Sequence, residues 1–161
     1  MALYAIGDLH LSFQTDKSME VFGREWKDYV KKISKNFKRK INTDDTIVLT
    51  GDHSWGRNLS QCEKDLQFIE ELPGRKILLR GNHDMFWDAK KTQKLNEQFA
   101  GRLEFLQNNF YSYKDYALVG TKGYCYEGKD SIEHFVKIRD RELERLRVSF
   151  EAAKEAGFTK F

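Results

Sequence analysis

Three times within the first 84 residues, an apolar run ends at a glycine and passes straight into residues that bind metals. The stretches are Ala5-Ile6-Gly7-Asp8-Leu9-His10, Val48-Leu49-Thr50-Gly51-Asp52 and Leu78-Leu79-Arg80-Gly81-Asn82-His83-Asp84. Short apolar runs closed by glycine read as buried strands. The glycine lets the backbone turn sharply with no Cβ in the way. Oxygen and imidazole donors repeated at successive strand exits are how an open α/β sheet assembles a site. The chain is therefore expected to be an α/β protein with its chemistry gathered at one end of a parallel sheet.

The intervening segments agree. Phe22, Trp26, Tyr29, Val30, Ile33, Phe37 and Ile41 recur at three- and four-residue steps, which predicts an amphipathic helix over 20–40. Residues 3–7 and 46–50 read as strands, and 59–72 reads as a helix stopped by Pro73-Gly74. Residues 76–80 form a third strand, so 3–80 reads β-α-β-α-β with parallel neighbours. Beyond it, the pattern predicts a helix near 88–100 and short strands near 103–106, 109–113 and 116–120, with a hairpin at Lys114-Asp115. A charged helix over 132–156 then ends at Gly157, and Phe158 to Phe161 looks like the approach to another strand.

Composition narrows the functions. At 161 residues the chain suits one domain. It has no apolar run of membrane-spanning length and no basic leader, so neither a membrane span nor a signal peptide is expected. Cys62 and Cys125 are too few and too far apart for a disulfide framework, which fits a reduced, cytoplasmic protein with both thiols inert. The net charge of +3 neither demands nor excludes an anionic partner. Lys31, Lys32, Lys35, Lys38, Arg39 and Lys40 alternate with the apolar helix face, so they read as a solvated side and nucleic acid is not indicated. Arg139, Arg141, Arg145 and Arg147 interleave with Asp140, Glu142 and Glu144 as a salt-bridged surface.

The donors themselves suggest a division of labour. Asp8 and His10, two apart at a strand exit, point to one side and can reach one ion. Asp52 has two carboxylate oxygens and could bridge that ion to a second, for which Asn82 offers a neutral oxygen. A mixed oxygen and imidazole set suits Mn, Fe or Zn better than Mg or Ca. Asp and Asn beside glycine also end strands as plain turn chemistry, but three such sites in order with two histidines favour function. His53 and Arg57 read as incidental loop residues, and Trp55 and Trp87 as core aromatics that could instead wall a pocket. Gly120-Thr121-Lys122-Gly123-Tyr124 is glycine-punctuated after a strand and could border the site.

Gly7-Asp8-Leu9-His10, Gly51-Asp52 and Gly81-Asn82-His83-Asp84 resemble the first three motifs of the calcineurin-like metallophosphoesterase family. The resemblance implies a four-layer αββα sandwich. It implies that Asp8 and His10 hold a first metal, that Asp52 bridges, and that Asn82 holds the second. His83 would be the general acid and Asp84 would orient it. A metal-bound hydroxide would then attack a phosphomono- or diester. The family continues with a lone His and a Gly-His-x-His motif, and neither follows here; His134 lies in the charged helix region. The expectation is a C-terminally truncated member, with an incomplete sandwich and doubtful metal occupancy. Two functions follow: a phosphoesterase acting on a phosphate-ester substrate, or an inactive remnant serving as a binding or self-assembling module. A homo-oligomer could cover the sheet edge that missing strands would leave.

Overall fold

A computed structural model describes residues 1–123 and 131–161. Its organising element is a parallel sheet of β1 (Leu3–Ile6), β2 (Thr46–Leu49), β3 (Arg75–Leu79) and β4 (Glu104–Leu106), paired in that order. The crossovers carry α1 (Tyr29–Lys40), α2 (Leu59–Glu71) and α3 (Thr92–Gln98). An antiparallel hairpin of β5 (Phe110–Tyr113) and β6 (Tyr116–Val119) follows, then α4 (Ile132–Glu155). The result is a mixed α/β fold, and none of its described helices is long and apolar enough to cross a membrane.

Strand register sorts the side chains onto two faces. Ile47 and Leu49 of β2 share a face with Leu78 of β3 and Phe105 of β4. All four are buried in one cluster with Phe37 of α1, Leu66 and Ile69 of α2, and Leu95 and Phe99 of α3. The other face carries Ala5, Val48, Ile77 and Glu104 in register. Its cover is uneven: Ile77 is buried, Val48 half-buried, and Ala5 and Leu3 on the edge strand are exposed. At the β3–β4 end the cover includes Gly120, where an added Cβ would meet Leu79 at 2.9 Å and Leu106 at 3.4 Å.

The expected strands and the hairpin are present, with Lys114 turning at φ 53°. The helix expected over 20–40 is not continuous. Residues Met19–Phe22 and Arg24–Trp26 form short 3-10 turns, and the α-helix starts only at Tyr29. Gly23 at φ 145° and Asp28 at φ 55° lie outside the helical region and break the run. Phe22, placed on the apolar face by spacing alone, is 64% exposed. The helix expected over 88–100 is a 3-10 turn at Ala89–Lys91 running into the short α3. Phe158 to Phe161 contributes a bridge between Lys160 and Tyr116, whose neighbour Ala117 donates its N–H to the Lys160 carbonyl (2.8 Å).

Candidate metal centre

Backbone bonds hold the first two donor loops side by side beyond the sheet. Asp8 N–H donates to the Gly51 carbonyl (3.0 Å), His10 N–H to the Asp52 carbonyl (2.9 Å) and Leu11 N–H to the His53 carbonyl (3.0 Å). Trp55 N–H returns a bond to Leu11 (2.9 Å), and the Tyr29 hydroxyl donates to the His10 carbonyl (2.8 Å). Ser54 donates to the buried Asp65 of α2, which also accepts the Phe13 N–H (2.8 Å). The third loop is brought in by glycine. A Cβ on Gly51 would lie 2.7 Å from the Gly81 Cα, and one on Gly81 would collide with the Asp52 amide and carboxylate. Only residues without side chains let these two turns touch.

This framework gathers Asp8, His10 and Asp52, whose donor atoms all lie within 4.8 Å of one another. His10 Nε2 stands 3.4 Å from Asp8 Oδ1 and 3.8 Å from Asp52 Oδ2. Donors bound at about 2.0–2.2 Å to one cation stand roughly 3–3.5 Å apart, so the residues fit a divalent ion with little adjustment. Burial lowers the His10 pKa, outweighing the opposite pull of Asp52 and Asp8, and so favours the neutral imidazole that a metal needs. All three residues also have left-handed backbones, at φ 58°, 43° and 55° respectively. Such conformations in residues other than glycine concentrate at functional sites.

Asp84 has different partners from the one the resemblance implies. Its carboxylate is fully buried and accepts backbone N–H bonds from Gly81 (2.7 Å), Asp52 (2.9 Å) and His53 (2.8 Å). Its fourth contact is His53 Nδ1 at 2.9 Å. Among the described residues it makes no hydrogen bond to the His83 imidazole. Burial alone would push this carboxyl up, but the His53 charge and these hydrogen bonds prevail and hold it at about 2. Asp84 thus ties the second donor loop to the third. His53, expected to be an incidental loop residue, is fully buried as its partner, and its Nε2 finds no hydrogen bond among the described residues.

Asn82 and His83 are exposed at the rim. His83 donates its N–H to Asp52 Oδ1 (2.8 Å), and its ring lies edge-on to His10 at 5.5 Å between centroids. Trp55 forms the wall of the site. Its ring stacks on His10 (4.4 Å), tilts against His83 (4.6 Å) and carries the Lys17 ammonium 3.5 Å from its centroid. Trp87 is core, donating to Thr92 Oγ1 at 3.0 Å. Lys17 had no sequence signal, since its partner lies far along the chain. Arg57 is exposed as expected, and burial raises the Cys62 thiol to about 11, consistent with an inert cysteine. Cys125 and Tyr124 lie outside the described residues. His134 is exposed on the first turn of α4, its N–H capped by Ser131.

The family model described as calcineurin-like phosphoesterase matches residues 1–155. No curated protein matches. Among solved structures, the chain is similar to the protein of unknown function AQ665 from Aquifex aeolicus at 23% identity and a TM-score of 0.47, over 97% of this chain and 74% of that one.

Proposed function

The chain belongs to the calcineurin-like phosphoesterase family, and from that premise we propose that it is a metal-dependent phosphoesterase hydrolysing phosphomono- or diesters. The observation that carries this reading is the convergence of Asp8, His10 and Asp52 on strained backbones at the exits of β1 and β2. In this reading these three hold a first divalent cation of the Mn, Fe or Zn type. Asp52 and Asn82 serve a second. Bound there, the cations would supply Lewis acidity to a phosphoryl oxygen and activate water for in-line attack.

The chain's own side chains supply the rest. His83, exposed at the rim beside His10 and Trp55, delivers a proton to the departing alkoxide, a task for which imidazole is suited near neutrality. Its backbone N–H fixes Asp52 Oδ1 and leaves Oδ2 on the His10 side. Asp84 acts through these loops by holding Gly81, Asp52 and His53 in register. Residues 1–161 are read as one domain, with the sheet as one layer of an αββα sandwich and the hairpin with α4 packing toward its second face.

The test is hydrolysis of a nitrophenyl phosphate ester with and without added Mn²⁺. Metal stimulation is expected, and Asp52→Asn and His83→Ala should each abolish the activity. Full rates in both variants would place the chemistry elsewhere.

A further inference from the structure

A second concentration of charge lies among the end of β3, the turn after β6 and the middle of α4. At its centre Glu142 is buried, and its carboxylate accepts bonds from Thr121 Oγ1 (2.7 Å), Arg145 (2.5 Å) and Arg141 Nε (3.3 Å). Arg80 and Lys122 are both half-buried, yet neither makes a hydrogen bond or ion pair among the described residues. Among the described residues, the Arg80 Nε is sealed from solvent with no acceptor. Four cations therefore share a neighbourhood with one carboxylate whose acceptors are already engaged.

Among the described residues, no nearby carboxylate forms a hydrogen bond or ion pair with Arg80 or Lys122. Asp84 is spent on its own four contacts, and Asp88 caps the Lys90 N–H. Burial lowers the Lys122 pKa, and Arg80, Arg141 and Arg145 push the same way against Glu142. Unpaired, partly desolvated cations are costly in the free protein and gain most from an anion.

We infer that Arg80, Lys122, Arg141 and Arg145 form a binding site for a phosphate group, the second phosphate of a small substrate carrying at least two. Arg80 leads directly into Gly81-Asn82-His83, so the site adjoins the proposed metal centre. A polynucleotide backbone fits less well, because three other cations of α4 are neutralised in pairs: Arg139 with Asp140, Arg147 with Glu144 and Lys154 with Glu151. The role of this phosphate as part of a substrate rests on the phosphoesterase reading; its binding does not.

The experiment titrates inorganic phosphate into the metal-free full chain in chelator, at matched ionic strength, by calorimetry and thermal melting. Wild type should bind and melt higher, and Lys122→Met and Arg80→Gln should each bind about tenfold more weakly. Without phosphate, Lys122→Met should melt above wild type, because it removes a desolvated, self-repelling charge; a lysine with a merely structural role would do the opposite. No phosphate response in wild type, equal binding in both variants, or a lower phosphate-free melt for Lys122→Met would overturn the site. With metal restored, Lys122→Met should lower the kcat/KM ratio of a sugar bisphosphate to its monophosphate by about tenfold. An unchanged ratio would show that the bound phosphate is not part of the substrate. A wild type that binds phosphate but hydrolyses no ester would sink the phosphoesterase reading and leave the anion site standing.

Discussion

Replacing Asp84 by Asn separates a loop tie from a catalytic group. The substitution keeps the shape but turns one acceptor oxygen into an NH2 group. With the remaining oxygen placed as Oδ2, it still serves Gly81, Asp52 and His53 Nδ1, and the His53 N–H is orphaned. With the amide turned over, Gly81 and Asp52 lose their acceptor instead. A buried donor left unsatisfied costs about 1–3 kcal/mol, and the loss of the negative charge weakens the contacts that remain. Asp84→Asn should therefore destabilise the metal-free protein by about 2–4 kcal/mol. His83→Ala, at an exposed position, should stay within about 0.5 kcal/mol of wild type. Urea unfolding followed by tryptophan fluorescence and circular dichroism gives both values. If the two variants unfold alike at the wild-type midpoint, Asp84 does not tie the loops together.

Acid should expose the same device. With its carboxyl held at about 2 against an ordinary 3.8, Asp84 contributes fully above pH 3.8 and loses its contribution as pH falls towards 2. The contribution is about 2 kcal/mol, and Asp84→Asn should flatten that limb of the stability–pH curve. Gly81→Ala should weaken metal binding in calorimetry and lower the melting temperature, because its new Cβ would strike the Asp52 amide. Phe37→Ala should cost about 3–5 kcal/mol by urea unfolding, whereas Phe22→Ser, on an exposed 3-10 turn, should cost under about 0.5. Equal effects would restore a continuous helix over 20–40.

The strands, the hairpin and the gathering of Asp8, His10 and Asp52 were legible in the sequence because each rests on local chemistry: a run of apolar residues, a glycine and a donor. The helix start was not. The periodicity of Phe22 and Trp26 suits a helix, and nothing local shows that Gly23 and Asp28 adopt positive φ. The partner of Asp84 was hidden for another reason: His53 lies 31 residues earlier and meets it only when two loops close on each other. Motif reading pairs Asp84 with its neighbour His83, whereas the buried carboxylate collects the nearest donors that burial would otherwise leave unsatisfied. Arg80 and Lys122 lie far apart in the chain, and only packing shows that neither side chain has an acceptor among the described residues.

The left-handed backbones of Asp8, His10 and Asp52 restrict how these positions can drift. Asp, Asn and His are among the few residues with side chains that tolerate this conformation, and β-branched or bulky ones do so poorly. Each position thus passes through two filters, one set by ligand chemistry and one by backbone geometry. Asp-to-Asn changes satisfy the second while failing the first. Disabled descendants of this chain should therefore accumulate as well-folded proteins with an amide where the carboxylate stood.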